Sequence, residues 1–255
     1  MIPFYNAADY LVDSIESVIA QEYSFKDINL ILIDDGSTDE SKFCGIFYAK
    51  RFTNIQYLRQ SHKGVSAARN KGIERALNAG SEFVFFLDAD DRYKENHLTK
   101  CIKLFDEYPE SVFVSGVMRF FEAENNLNRR YTLPCYSTTR EINTIDDYNK
   151  DALYVGHVAQ GGWRASILDA SRFNEKLEYS EDIDFICRIL VDNKFVFSKD
   201  IEYLYRIRYA KDSAVNIAPT NLQWYSRVWN VFVPLFEDMI KLRNNVPLFV
   251  PMSNR

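Results

Sequence analysis

Three carboxylates crowd into Asp88-Ala89-Asp90-Asp91, directly after the apolar stretch Phe83-Val84-Phe85-Phe86-Leu87. Carboxylates beside a core are costly unless something neutralises them. A hard divalent cation such as Mg²⁺ or Mn²⁺ does so, because it prefers oxygen ligands. Held by only one or two carboxylates, Mg²⁺ usually shares its other sites with water and substrate phosphates. A second acidic pair, Asp34-Asp35, follows the apolar run Leu30-Ile31-Leu32-Ile33 and opens the turn Gly36-Ser37-Thr38-Asp39. A third, Glu181-Asp182, heads a helical stripe of Phe185, Ile186, Ile189 and Leu190. The positive end of that helix helps keep Asp182 ionised, as a general base requires. Arg69, early on another helical stretch, carries a guanidinium able to reach a base carbonyl or a phosphate. Each feature has a plainer alternative: a solvated turn, a helix cap or a surface ion pair.

The elements around these residues follow from periodicity. Leu11, Ile15, Val18 and Ile19 share one helix face, with Asn6 or Asp9 as a cap. Leu30 to Ile33 reads as a strand buried on both faces. Helix is expected from about Ser41 to Arg51, strand at Ile55–Leu58, helix from Val65 to Ala79 and strand at Phe83–Leu87. Alternation of this kind argues for an α/β domain with a largely parallel sheet. Ligands of such sheets bind beyond the carboxyl ends of the strands, so the acid pairs at 34–35 and 88–91 should face one crevice. The second half is less regular. Helix is expected at His97–Tyr108 and Ile183–Val191, and strand at Val112–Val117 and Tyr203–Tyr209. Residues 122–150 read as a loop or hairpin over the site, and Asn221–Leu242 as an aromatic-rich helix.

Composition narrows the classes. The chain has 255 residues, 47% of them apolar and 26% charged, enough for a sizeable core. A net charge of −5 and the lack of any basic block exclude an obvious nucleic-acid binder. Cys44, Cys101, Cys135 and Cys187 are widely spaced, which argues against zinc or a disulfide framework and for a reducing, cytoplasmic location. His62, His97 and His157 are scattered, so a histidine metal site is not expected. No apolar run approaches the roughly 18 residues of a membrane span, and no signal peptide is visible. Trp224, Tyr225, Trp229, Phe232 and Phe236 suit a core, a dimer contact or peripheral attachment at the inner face of the plasma membrane.

Five blocks occur in order: Pro3-Phe4-Tyr5-Asn6; Ile33-Asp34-Asp35-Gly36-Ser37-Thr38-Asp39; Gly64-Val65-Ser66-Ala67-Ala68-Arg69-Asn70-Lys71-Gly72; Leu87-Asp88-Ala89-Asp90-Asp91; Glu181-Asp182-Ile183-Asp184-Phe185. Together they resemble the large family 2 of inverting glycosyltransferases, whose nucleotide-sugar-binding fold is called GT-A. The resemblance implies an α/β GT-A domain over residues 1–215, with a mostly parallel central sheet flanked by helices. Its nucleotide-sugar half would end near 115, its acceptor half would run from 116, and a helical extension would cover 216–255. It also implies a UDP-sugar donor, a divalent metal (Mn²⁺ or Mg²⁺) and a growing bacterial surface glycan, free or lipid-linked, as acceptor. By the resemblance, Asp35 accepts the uracil ring N–H beside Asp34, and Pro3 and Tyr5 form the neighbouring wall. Asp88 lies near the ribose or sugar, Asp90 holds the metal, and Asp91 supports it. Asp182 is the base, and Glu181 orients it or the acceptor hydroxyl. Arg206 and Arg208, on one strand face, would close over the diphosphate. Gly161-Gly162-Trp163-Arg164 either lines the acceptor side or belongs to the core.

Two departures stand out. The first strand is almost absent, so it is either unusually short or continued by residues before Met1. His62 stands where relatives often have asparagine, and should alter base or ribose contacts. A sugar nucleotidyltransferase would need a glycine-rich basic loop after Pro3, and a Rossmann dehydrogenase a G-x-G-x-x-G; neither occurs. The remaining alternative is a non-catalytic domain of the same fold that binds sugar nucleotide or a partner. Retention of Asp90 and Asp182 together speaks against it.

Overall fold

The computed structural model describes residues 1–122, 139–142, 157–190 and 192–207. Arg208, the 216–255 extension and most of the 122–150 segment lie outside the described residues.

The first half alternates strand and helix: β1 (Ile2–Phe4), α1 (Leu11–Ile19), β2 (Leu30–Asp34), α2 (Ser41–Arg51), β3 (Ile55–Arg59), α3 (Val65–Asn78) and β4 (Phe83–Phe85). β1, β2 and β3 pair in parallel, with Ile2 opposite Leu32 and Leu30 opposite Ile55. All five residues of β2 are buried, which is why its sequence is a continuous apolar run ending in Asp34. Met1 ties β4 to β1. Its nitrogen donates to Phe85 O (2.6 Å) and its carbonyl accepts from Leu87 N (3.0 Å), the bonding of a parallel pair. Along β1 the pleat then turns Pro3 toward β4, and Pro3 has no N–H to give. The ladder stops there, and the chain after Leu87 is free to turn away as the Asp88–Asp91 loop.

This order has a topological consequence. From β1 the chain steps outward to β2 and β3, then returns across β1 to β4. Right-handed crossovers put α1 and α2 on one face and α3 on the other. The packing agrees: α1 lies against α2, and α3 against the short helix α5 (Ala165–Asp169). The switch point lies between β1 and β4, where ligands of open α/β sheets bind.

The second half adds β5 (Arg92–Tyr93), α4 (His97–Glu107), β6 (Phe113–Glu122), β7 (Arg140–Ile142), β8 (Gly161–Arg164), α6 (Glu181–Leu190) and β9 (Phe195–Ile207). Here the sheet runs β4-β8-β6-β9-β5, with β7 on β9. β8 is antiparallel to both β4 and β6, while β6 and β9 are parallel. β8 fits between its neighbours only because it begins with two glycines. A Cβ on Gly161 would sit 1.8 Å from the Val114 carbonyl oxygen. Trp163 belongs to the core: it is fully buried, stacks on Phe113 at 3.9 Å and donates its indole N–H to Val158 O at 3.0 Å. β9 starts eight residues earlier than its Tyr203–Tyr209 expectation. The β6 register jumps from Ser115–Phe197 to Val117–Glu202, so β9 bulges opposite Gly116 and re-aims Tyr203 and Arg206. Among the described residues, no helix is long and apolar enough to cross a membrane, and Cys44, Cys101 and Cys187 are free.

Candidate active site

Arg69 is the centre of the site. It sits in the second turn of α3 and is only 2% exposed. Its Nη1 donates to Glu181 Oε1 (2.8 Å) and Asp182 Oδ1 (2.5 Å), and its Nη2 to Asp88 Oδ1 (3.0 Å). The guanidinium also lies over the Phe173 ring at 5.2 Å. Burial alone would loosen its proton; the carboxylates of Asp182, Asp88 and Glu181 more than reverse this and hold it firmly charged. The side chain expected to meet a base or phosphate thus faces three acids of its own chain.

Those acids arrive from two elements. Asp88 follows β4. Glu181 and Asp182 open α6, after Ser180 at φ 60°. Burial pushes the Asp88 carboxyl up, but Arg69 and His157 hold it well below the usual carboxylate range. Burial, reinforced by Asp182, raises Glu181. Asp182 is 8% exposed and points its second oxygen at Val158 N (3.5 Å) and His157 Nε2 (3.7 Å).

His157 was not expected here. Its Nε2 lies 3.3 Å from Asp88 Oδ2, and its Nδ1 accepts the Ala159 N–H at 3.3 Å. That bond puts the neutral ring's hydrogen on Nε2; for Nε2 to meet a metal, the hydrogen must move to Nδ1 and the Ala159 bond must break. Burial lowers the imidazole's proton affinity, but Asp182, Asp88 and Asp91 outweigh it and lift the pKa to about 9. Asp91 is 1% exposed; Arg206 N donates to its Oδ1 (2.7 Å), and the Tyr203 hydroxyl to its Oδ2. Burial and then its neighbours Asp90 and Asp88 push its pKa well up. Ligand atoms of Asp88, Asp91 and His157 all lie within 4.8 Å of one another. Two carboxylates and an imidazole suit a divalent cation of the Mn²⁺ kind, and a cation would relieve the Asp88–Asp91 repulsion. Among the described residues, this cluster groups Asp91 with Asp88 and His157. Asp90 instead offers its carbonyl to Arg206 Nε at 2.6 Å.

Arg206 is a brace. It is 4% exposed, reaches Asp13 Oδ2 (2.8 Å), and lies over Tyr10 and Phe121. The arginine expected to close over a diphosphate is fastened beneath the acidic loop. Ser14, on α1, latches the same loop by donating to both Ala89 O and Asp91 O at 2.7 Å.

The second acidic pair lies at the end of β2. Asp34 is fully buried and accepts Ser37 N (2.7 Å), the Tyr57 hydroxyl (2.5 Å) and Arg59 Nη1 (2.7 Å). Asp35 is 4% exposed. Its Oδ1 accepts Gln60 Nε2 and Lys63 N, each at 2.8 Å; its Oδ2 accepts Gly64 N at 2.9 Å. Gly36 makes this possible, with φ +87° and a Cβ position only 3.0 Å from His62 N. Asn6 Oδ1 accepts Thr38 N (2.8 Å) and so fastens the β1 and β2 loops together. Pro3 is buried in β1, whereas Tyr5 is 45% exposed at the rim. The start of α3 joins the two acidic groups: Lys63 and Gly64, just before it, bind Asp35, and Arg69 within it binds Asp88, Glu181 and Asp182.

The model of the family described as Glycosyl transferase family 2 matches residues 1–167. This chain belongs to glycosyl transferase family 2. Among curated relatives, the Minor teichoic acid biosynthesis protein GgaB of Bacillus subtilis (strain 168) is 31% identical over 258 residues, covering 98% of this chain and 27% of its own length. GgaA of the same organism is 33% identical over 237 residues, covering 90% of this chain and 51% of its own length. The chain thus spans about a quarter to a half of these curated relatives. Its GT-A fold matches S. aureus TarS 1-349 in complex with UDP-GlcNAc, with TM-score 0.72 and 20% identity over 94% of this chain and 65% of TarS. It also matches a Pyrobaculum calidifontis mannosyltransferase in complex with GDP-Man and Mn²⁺, with TM-score 0.66 and 16% identity over 96% of this chain and 64% of the other.

Proposed function

We propose that this chain transfers a sugar, with inversion, from a UDP-sugar to a hydroxyl of a teichoic-acid-type surface glycan. The observation that carries the proposal is the gathering of Asp88, Glu181, Asp182 and His157 around buried Arg69, beside the switch point of the sheet. Family membership, the names of the B. subtilis relatives and the UDP-GlcNAc held by TarS support the substrate classes.

Asp182 is the general base. One of its oxygens is held by Arg69, which fixes the carboxylate's direction; the other, 3.5 Å from Val158 N and 3.7 Å from His157 Nε2, takes the acceptor hydroxyl proton as the hydroxyl oxygen attacks the anomeric carbon. A single displacement from the face opposite the diphosphate inverts the centre. Glu181, with its raised proton affinity, orients the hydroxyl or Asp182. Asp88, Asp91 and His157 would hold a divalent cation, which supplies positive charge to a departing nucleoside diphosphate. Asp35 and Tyr5 form the base end.

Calorimetry with UDP, in Mn²⁺ and in EDTA, tests the donor half. Wild type should bind only with metal, and Asp91→Ala should lose that metal-supported binding. Donor turnover on a teichoic-acid-type polymer tests the other half. Asp182→Asn should keep UDP binding and lose roughly a thousandfold or more in rate. Unaltered turnover in that variant would remove Asp182 as the base.

A further inference from the structure

Tyr5 and His62 form an exposed aromatic pair at the rim of the Asp35 site. Their ring centroids are 4.1 Å apart, tilted by 31°. His62 Nδ1 lies 3.0 Å from Asp35 Oδ2 and 3.1 Å from the Asp35 carbonyl oxygen. Both neighbours are acceptors, so Nδ1 carries the hydrogen. A planar ring that lies against Tyr5 and gives a ring N–H to Asp35 makes the two contacts a pyrimidine base would make there.

Asp35 has no room for another donor. Gln60 Nε2, Lys63 N, Gly64 N and His62 Nδ1 supply four N–H groups to a carboxylate with about four lone-pair positions. An incoming uracil N–H requires one of them to leave. Lys63 N and Gly64 N are main chain at the start of α3. Gln60 has no ring to lie against Tyr5. The His62 side chain is 60% exposed, so it can swing into water without opening the core.

We propose that His62 is a built-in base mimic: its imidazole occupies the base position between Tyr5 and Asp35, and the nucleotide displaces it on binding. This rests on the assignment of Asp35 and Tyr5 to the base end. Wild-type affinity is then reduced by the fraction of molecules in which the imidazole is out.

The test is UDP binding by calorimetry with Mn²⁺ on wild type, His62→Ala, His62→Asn, Gln60→Ala and Asp35→Asn. The mimic requires His62→Ala and His62→Asn to bind UDP roughly three- to tenfold more tightly, the scale of one stacking and hydrogen-bonding contact. Gln60→Ala should not share the gain, and Asp35→Asn should weaken binding. CDP and UDP should gain by the same factor in His62→Ala, because the imidazole must leave for either ligand. Unchanged or weaker UDP binding in His62→Ala overturns the mimic while leaving the donor site standing, provided Asp35→Asn still weakens binding. If neither wild type nor His62→Ala binds any nucleotide, the donor assignment and the mimic fall together. Binding by His62→Ala alone would be the strongest form of support.

Discussion

Arg69 concentrates the electrostatics of the site in one side chain. Three carboxylates depend on it, and the site places it where water cannot substitute. Removing one partner from a buried ionic group strands the others and typically costs 3–5 kcal/mol. Arg69→Met should therefore lower stability to urea by about that much, more than a surface arginine change would. Adding Glu181→Gln to Arg69→Met should recover part of the loss, because one stranded charge is gone. If the double variant is no more stable than the single, the three acids are not held by Arg69 in the way their distances imply. Arg69→Lys keeps the charge but loses the fork that serves three oxygens, and should fall between wild type and Arg69→Met. Arg69, Asp88 and Asp182 were each legible as chemistry-bearing residues. Their mutual contact was not, because the partners lie on α3, after β4 and at the start of α6. His157 left no local signal at all: a histidine followed by Val-Ala-Gln has no ligand spacing, and only the packing of β4, β9 and the 157–160 turn brings it to Asp88.

At the level of elements, the loop after β4 is held from both sides, by Ser14 of α1 and by Arg206 of β9. Ser14→Ala leaves two buried carbonyls without their shared donor. It should cost about 1–3 kcal/mol and weaken Mn²⁺ binding measured by titration, although Ser14 is no ligand. A stability loss with unchanged metal affinity would show that the loop holds its shape without the latch. The parallel elements around this loop could be read from sequence because each strand is a short apolar run between helical periods. β8 could not. Gly161 and Gly162 have no side chains to alternate, and their role is to let Val114 and Phe85 approach. β9 was read short because its bulge breaks the alternation between Phe197 and Glu202.

For the molecule as a whole, a buried histidine away from the site couples stability to acidity. His97 stacks on Tyr93 at 4.2 Å and gives Nδ1–H to Glu202 O at 3.0 Å, with Nε2 unpaired in the interior. Burial pushes its pKa from 6.5 down to about 4. The native state thus refuses a proton that the unfolded chain accepts. The stabilisation is complete above pH 6.5 and lost as pH falls toward 4, a span worth about 3 kcal/mol. His97→Phe should flatten the stability curve over that interval. An unchanged acid slope in the variant would mean that His97 titrates normally.

The Arg206–Asp13 ion pair joins the first helix to the last described strand. During synthesis the chain emerges amino end first, and domains fold as their residues become available. α1, β1 and the Asp88–Asp91 loop leave the ribosome long before β9 does. Until then Asp91 lacks the Arg206 N–H and the Tyr203 hydroxyl, and the loop has only its Ser14 latch. The nascent protein therefore passes through a stage in which its sheet can begin to form while the acidic loop is still unset, and the Asp91 contacts arrive only with the translation of β9.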